Sequence, residues 1–233
     1  MDDAPVTVRV APELVFLLRP RDRPARERRL GHDADATVGH VVQAAGVPLT
    51  EAGGLRLDGV PTVVGARPGP GSVVAVAAVP RPQPVPRGGF LLDVGLGTLA
   101  RRLRLLGLDA AWSNDADDAD LAARAAAEER VLLTQDRGLL MRRGVGGALV
   151  RGSRPDDQLA DVLDRFAPSL APLTRCTACG GRLEAVPTAE VADRLPPGTR
   201  RTFDEFSRCV ACAHVYWHGA HARRIEALVA RHR

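Results

Sequence analysis

The sequence predicts a multidomain protein of the α/β and α+β classes, and three observations along its 233 residues point to this. Short β-branched runs surround one amphipathic stretch near the N-terminus. In the middle, apolar runs that end in an acid alternate with helical stretches. All four cysteines stand in two CxxC pairs towards the C-terminus. We therefore expect an N-terminal domain at 1–79, a Pro-rich linker at 80–89, an α/β domain with a mostly parallel sheet at 90–170 and a cysteine-bearing domain at 171–233.

The N-terminal region reads as short strands around one helix. VTVRV and LVFLL are predicted to form a hairpin, TVGHVVQAAG a helix, LRLDGV and TVV short strands, and SVVAVAAV a last strand. This order resembles the β-grasp, ubiquitin-like fold, which implies binding of RNA or of a protein partner. The residues of this region offer no catalytic motif. The proline-rich segment that follows should be extended and semi-rigid, so we expect the β-grasp domain to be separate from the rest.

Acids end two apolar runs in the middle of the chain. FLLD ends in Asp93 and passes through Gly95 and Gly97 into an amphipathic helix that Gly107 can terminate. VLLTQD places Asp136 in the same way. Because the carboxyl ends of parallel strands face one crevice, we expect Asp93 and Asp136 to converge there.

A third carboxylate can reach the same crevice from the helix between these runs. DADDADLAARAAAEER places Asp115, Asp117, Asp118 and Asp120 in its first turn. Grouped carboxylates repel one another unless a cation neutralises them, and oxygen ligands suit Mg²⁺ or Mn²⁺. Such a metal could activate water against a phosphodiester. The alternative is that first-turn acids only cap the helix and complement its dipole.

The runs FLLDVGLGTLARRLRLLG and DADDADLAARAAAEERVLLTQDRGLL resemble a PIN-like ribonuclease domain, specifically the Mut-seven C-terminal RNase family, over most of residues 90–225. The resemblance implies a ribonuclease that uses Mg²⁺ or Mn²⁺. It places the catalytic acids at Asp93, Asp118 and Asp136, with Asp117 as the alternative to Asp118.

A fourth acid is implied near the last strand, where ALVRGSRPDDQLADVL offers Asp156 or Asp157, although either could cap the following helix. Thr134 of the TxD motif is expected to position a ligand. Arginine forks bind phosphate oxygens in pairs and would hold an RNA backbone without reading its sequence. The candidates for backbone contact form three clusters: Arg101, Arg102 and Arg104; Arg137, Arg142 and Arg143; and Arg151 with Arg154. The alternative for these arginines is a solvated helix face.

The cysteines are the most specific local signal. Cys176 and Cys179 form one CxxC pair, and Cys209 and Cys212 form the other. Four thiolates on two tight turns can close tetrahedrally on Zn²⁺, and the site would be structural because no coordination position remains open. The RNase family also has a zinc ribbon here. The histidines that follow are expected at the surface or facing RNA: His214, His218 and His221.

Composition sets the broad class. The net charge of +4 and the pI near 9.3 favour an anionic partner such as RNA. All 32 basic residues are arginine, however, which suggests GC-rich coding more than selection for RNA contact. No apolar run is long enough to span a membrane and no signal peptide is evident, so we expect a cytoplasmic protein.

Two other functions compete with the metal-dependent ribonuclease. One is a non-catalytic RNA-binding or protein-interaction adaptor with a degenerate PIN-like domain. The other is a phosphatase, because LLDVGLGTL is faintly similar to the DxDGT motif of haloacid-dehalogenase-type enzymes, with Gly95 in place of the second acid. PIN-like nucleases commonly pair, which leaves a homodimer open.

Overall fold

The computed structural model describes residues 4–217, and they form two compact units. Within this described part, unit 1 comprises residues 4–81 and 136–149, and unit 2 comprises residues 82–135 and 150–217. The division by contacts differs from the expected domain boundaries most clearly at residues 136–149, which belong with the N-terminal elements. Among the described residues, none of the helices combines the length and the apolar character needed to cross a membrane.

Unit 1 contains one mixed sheet, one helix of the N-terminal region and two short elements from residues 136–149. Its strands are β1 (Val6–Val10), β2 (Glu27–Leu30), β3 (Ala52–Leu57), β4 (Val60–Pro61) and β5 (Val73–Ala78), and its helix is α1 (Val38–Ala44). The sheet order is β2-β1-β5-β3-β4, with β1 and β5 parallel and the other pairs antiparallel. Valines of β1, β5 and α1 form the buried core, as in the β-grasp arrangement predicted from the sequence.

The predicted hairpin of VTVRV with LVFLL is wrong. Residues Pro12–Leu17 form a 3₁₀ turn, in which Leu14 and Leu17 are buried at helical spacing. The antiparallel partner of β1 is β2, whose sequence ERRL has no strand-like alternation. Pro12 opens the turn where its missing amide is not needed, and the apolar leucines then fill the core from a helical conformation. The segment TVV also forms no strand, since β4 ends at Pro61.

Unit 2 is built on parallel strands covered by helices. Its first elements are β6 (Phe90–Leu92), α2 (Gly97–Leu105), β7 (Ala110–Trp112), α3 (Asp118–Ala127) and β8 (Val131–Thr134). Strand β6 lies between β7 and β8 and pairs with both in parallel, and all of its residues are buried. An apolar strand that is buried on both faces is typical of a parallel sheet. Gly107, with a φ of +83°, follows the end of α2 as the sequence predicted.

The remaining elements complete both units. Residues 136–149 supply α4 (Arg137–Leu140) and β9 (Gly147–Leu149) to unit 1. Unit 2 continues with α5 (Pro155–Phe166), β10 (Leu183–Val186), α6 (Thr188–Val191), α7 (Pro197–Thr202), β11 (Phe206–Cys209) and β12 (Val215–Trp217). The last three strands form an antiparallel sheet in the order β10-β11-β12, with a small core of Val191, Leu195 and Phe206. This sheet supports the cysteine-bearing turns.

The proline-rich segment is anchored to unit 2. Gln83 donates its amide to the carbonyl of Arg165 at 2.6 Å, and its side-chain oxygen accepts a bond of 2.7 Å from Arg165 Nε. The Arg165 side chain is buried on α5. Its guanidinium therefore fixes the start of the segment that leads into β6.

Candidate metal centres

Each CxxC pair lies in a turn with the same hydrogen-bond frame. The amide of the first cysteine, Cys176 or Cys209, donates to the carbonyl five residues later. The amide four residues later donates back to the carbonyl of that cysteine, and all four distances are 2.8 or 2.9 Å. The residue at this fourth place has a left-handed backbone in both turns: Gly180 has a φ of +82° and Ala213 a φ of +59°. Both turns therefore present their two sulfurs from matching backbone frames.

The four sulfur atoms lie close enough together to ligate one metal ion. Cys176 and Cys212 are separated by 3.6 Å between sulfurs, Cys179 and Cys209 by 3.5 Å, and all four sulfurs lie within 4.8 Å of one another. A tetrahedral Zn²⁺ with bonds of about 2.3 Å requires sulfur separations of about 3.8 Å. The cysteine quartet thus fits the predicted structural zinc. Within residues 4–217, the predicted carboxylates do not form a second such group of three or more ligands.

Ionisation of the thiols is uneven. Burial opposes ionisation of Cys176, but hydrogen bonds from the Tyr216 hydroxyl, which lies 3.1 Å from the sulfur, and from backbone amides lower its pKa to about 6. Partial burial, together with the neighbouring thiols, raises the pKa of Cys179 to about 12. Burial and the contact with Cys176 also raise the pKa of Tyr216 to about 12. Four thiolates can therefore coexist here only with a cation among them.

Arg104 connects helix α2 to the turn of Cys176 and Cys179, which we call the first knuckle. The turn of Cys209 and Cys212 is the second knuckle. Its buried guanidinium donates from Nε to the carbonyl of Ala110 at 2.7 Å and from Nη1 to the carbonyls of Thr177 and Ala178 at 3.1 and 2.8 Å. Burial lowers the pKa of Arg104, and the nearby thiols, Cys179 foremost, oppose that lowering. An arginine stays charged in such a setting, so its charge offsets that of a thiolate quartet. The expectation that this side chain contacts RNA phosphate is therefore wrong.

Sequence reasoning missed Arg104 and Tyr216 as supports of the knuckle. The signal for Arg104 was available, because it follows Leu103 on a helix whose apolar face includes Leu99 and Ala100. A charged side chain on the buried face of a helix needs internal partners. Tyr216 gave no comparable signal, since an aromatic residue in a small domain is most simply assigned to its core.

Asp93 is oriented by the neighbouring strand. It follows the last residue of β6, and its amide donates to the carbonyl of Leu133 at 3.0 Å. The hydroxyl of Thr134, which is fully buried at the end of β8, donates to Asp93 Oδ2 at 2.6 Å. The carboxylate itself is half-buried. Thr134 therefore contacts the first predicted acid directly.

Two neighbouring acids at the start of α3 have different places: Asp117 caps the helix and Asp118 begins it. Asp117 is the N-cap residue, and its Oδ1 accepts from the amides of Ala119 and Asp120 at 2.8 Å each. Asp118 is the first residue of the helix and is half-buried. The capping function weighed in the sequence analysis is thus present at Asp117.

Asp136 lies in unit 1, at the N-cap of α4. It is exposed, and its Oδ1 accepts from the amide of Gly138 at 2.6 Å. Arg137, a predicted RNA contact, donates from Nη1 to the carbonyl of Leu17 at 2.8 Å. Arg142 is exposed on the same segment.

The other predicted residues lie around the first turn of α5 and the end of the described chain. Asp156 forms an ion pair with Arg102, and Arg101 next to it is exposed. Asp157 is also exposed in that turn. His214 is exposed, with its ring 5.0 Å from that of Tyr216. His218 and His221 lie outside the described residues.

Two family models match the chain. The model described as Mut7-C RNAse domain matches residues 88–229, more than half of the sequence, and the model described as Mut7-C ubiquitin matches residues 4–84. The resemblance stated from the sequence motifs, with a ubiquitin-like domain before the RNase domain, is thereby confirmed. A search of curated proteins finds no match.

Proposed function

The chain belongs to the Mut7-C RNAse domain family, and from this premise we propose that it is a metal-dependent ribonuclease that hydrolyses RNA phosphodiester bonds. Family membership is the observation that carries the proposal. The proposed ligands of Mg²⁺ or Mn²⁺ are Asp93, Asp118 and Asp136. Asp117 and Asp156 are weaker candidates, because the first caps α3 and the second pairs with Arg102.

Asp93 is the best-supported member of this set. Its bond from the buried Thr134 hydroxyl holds the carboxylate in one orientation, so that less conformational freedom would be lost when a cation binds. When bound, Mg²⁺ or Mn²⁺ would supply charge neutralisation at the phosphate and activation of water for in-line displacement. In that hydrolysis a water oxygen bonds to phosphorus, the ester P–O bond breaks and the departing oxygen gains a proton.

The arginines are proposed to hold the RNA backbone. Arg101 and Arg142 are exposed and can approach phosphate from solvent. Arg102 and Arg137 already donate to Asp156 and to the carbonyl of Leu17, so RNA would have to compete with these internal acceptors. The zinc ribbon is proposed to support RNA binding while its Zn²⁺ remains structural.

Cleavage of labelled RNA tests the proposal. Single-stranded and hairpin RNAs are incubated with the full chain in Mn²⁺, in Mg²⁺ or after removal of both ions, and the zinc content is measured in every sample so that a damaged ribbon is recognised. We expect metal-dependent cleavage that falls by at least about 10²-fold in Asp93→Asn and in Asp136→Asn. The matched control is Asp120→Asn, an exposed first-turn acid on α3. Wild-type cleavage rates in the Asp93→Asn, Asp136→Asn double variant would refute the metal mechanism.

A non-catalytic adaptor is the second candidate, and one observation favours it. Asp117, Arg102 and Asp156 all have partners inside the fold that explain them without catalysis. The adaptor predicts RNA binding without turnover in every metal condition. It also predicts binding that is unaffected by Asp93→Asn, which the same assay measures through retention of labelled RNA.

A further inference from the structure

The segment that begins with Asp136 is attached to the β-grasp elements of unit 1 along its length. At its start, Arg137 Nη1 donates to the carbonyl of Leu17 at 2.8 Å. In its middle, Gln43 Nε2 of α1 donates to the carbonyl of Met141 at 3.0 Å. These two bonds bracket α4. A helix of four residues has no stability of its own, so its orientation depends on such contacts.

The end of the segment is attached by a buried carboxylate. Glu51 is fully buried, and its Oε1 accepts from the amide of Leu149 at 2.9 Å. Leu140 and Leu149 are members of the apolar core that α1 and the mixed sheet form. A carboxylate is costly to bury unless hydrogen bonds compensate for its lost hydration. Glu51 therefore occupies a place where a specific acceptor is needed and where an apolar residue would leave a backbone amide unpaired.

We propose that the β-grasp domain acts as a brace for residues 136–149, with Glu51 as the positioning residue. In this account the domain serves the reaction by fixing the segment that presents Asp136, and it does so through bonds within its own unit. The consequence for catalysis rests on the metal-binding role proposed for Asp136. The attachment of residues 136–149 to the β-grasp domain does not depend on that role.

Amide hydrogen exchange on the full chain tests the brace without any assay of activity. In Glu51→Ala we expect the amides of residues 137–149 to exchange about tenfold faster or more, while those of residues 90–92 and 176–181 stay unchanged. Glu51→Gln retains a side-chain oxygen as acceptor and should restore most of the protection. The matched control is Glu27→Ala, because Glu27 lies in the same domain and pairs with Arg9 on the neighbouring strand.

Equal exchange of residues 137–149 in Glu51→Ala and wild type would overturn the proposal, as would the same acceleration in Glu27→Ala. If Glu51→Ala fails to fold, Gln43→Ala replaces it, since this half-buried side chain donates to Met141 from the surface of α1. That variant must speed exchange around residues 139–143 by several-fold, or the brace is refuted.

A Mn²⁺ titration of RNA cleavage then separates the brace from the proposed function. We expect the Mn²⁺ concentration for half-maximal cleavage to rise about tenfold in Glu51→Ala and to stay at the wild-type value in Glu27→Ala. If the wild-type protein cleaves no RNA, the proposed function fails while the exchange result still decides the brace. If cleavage is present but its Mn²⁺ dependence is unchanged despite faster exchange, the catalytic part of the inference fails alone.

Discussion

The two candidate metal centres differ in how far apart in sequence their parts lie. In the cysteine centre, each knuckle brings its two sulfurs together within one short turn. The sheet formed by β10, β11 and β12 then only has to hold the two knuckles beside each other. The carboxylates proposed to bind Mg²⁺ or Mn²⁺ stand on three separate elements: Asp93 follows strand β6, Asp118 begins helix α3 and Asp136 is the N-cap residue of α4. Ligands that lie within one short turn can be recognised in a sequence. The positions of ligands on separate elements depend on every contact that positions those elements.

The largest expected effect concerns the cysteine centre. Cys209→Ser removes a buried thiolate, and structural Zn²⁺ supplies on the order of 10 kcal/mol to the folding of small zinc domains. We expect zinc, measured by mass spectrometry on purified protein, to fall from one ion per chain to nearly none. Ala211→Ser, an exposed change in the same knuckle, should keep its zinc. A Cys209→Ser protein that still held stoichiometric zinc would show that the quartet is not the ligand set.

The next effect tests whether the cysteine centre is as self-contained as its turns suggest. Arg104→Met leaves three backbone carbonyls without their donor and removes the positive charge beside the thiolates. We expect zinc affinity, measured by competition with a chromogenic chelator, to fall about 10- to 100-fold. Arg101→Met makes the same change at an exposed position of α2 and should have no effect. Equal affinities in all three proteins would mean that the knuckles need no support from the helix.

A smaller effect is expected at the proposed carboxylate centre. Thr134→Val removes the hydroxyl that donates to Asp93 while keeping the shape of the buried side chain. The carboxylate then loses a fixed orientation, so the Mn²⁺ requirement of RNA cleavage should rise about tenfold, with about 1 kcal/mol lost from the free energy of unfolding. Thr134→Ser should keep most of both properties. Thr98→Val, an exposed position on α2, serves as the control. An unchanged Mn²⁺ requirement would remove Thr134 from the site.

The smallest effect concerns the asymmetry between the two knuckles. Ala213 occupies, at a φ of +59°, the place that Gly180 fills in the first turn. A non-glycine residue with this backbone is strained by about 1 to 2 kcal/mol, part of which glycine recovers despite its greater freedom in the unfolded chain. Ala213→Gly should therefore slow zinc release to a chelator by a few-fold, whereas Ala178→Gly outside this turn position should not. Faster release from Ala213→Gly would contradict the strain.

Much of the architecture follows from features that are short in sequence. Three features can each be recognised from a few residues: the CxxC spacing, the buried strand Phe90–Leu92 with Asp93 at its end, and Gly107 after α2. Turn geometry, the continuous burial of a short apolar strand and the glycine requirement of a positive φ are local physics. The family resemblance drew on the same short motifs.

Tertiary structure alone decided the rest. LVFLL is as apolar as a strand, yet it forms a turn because the core takes its leucines at helical spacing, and the charged ERRL segment pairs with β1 in its place. Arg104 and Glu51 are charged residues whose meaning comes from carbonyls and an amide far away in the sequence. The sequence by itself determined the four cysteines whose sulfurs lie close enough together to hold one metal ion. The assignment of Asp136 to the β-grasp unit arose only from long-range packing, because burial and hydrogen bonding between distant segments leave no periodic trace along the chain.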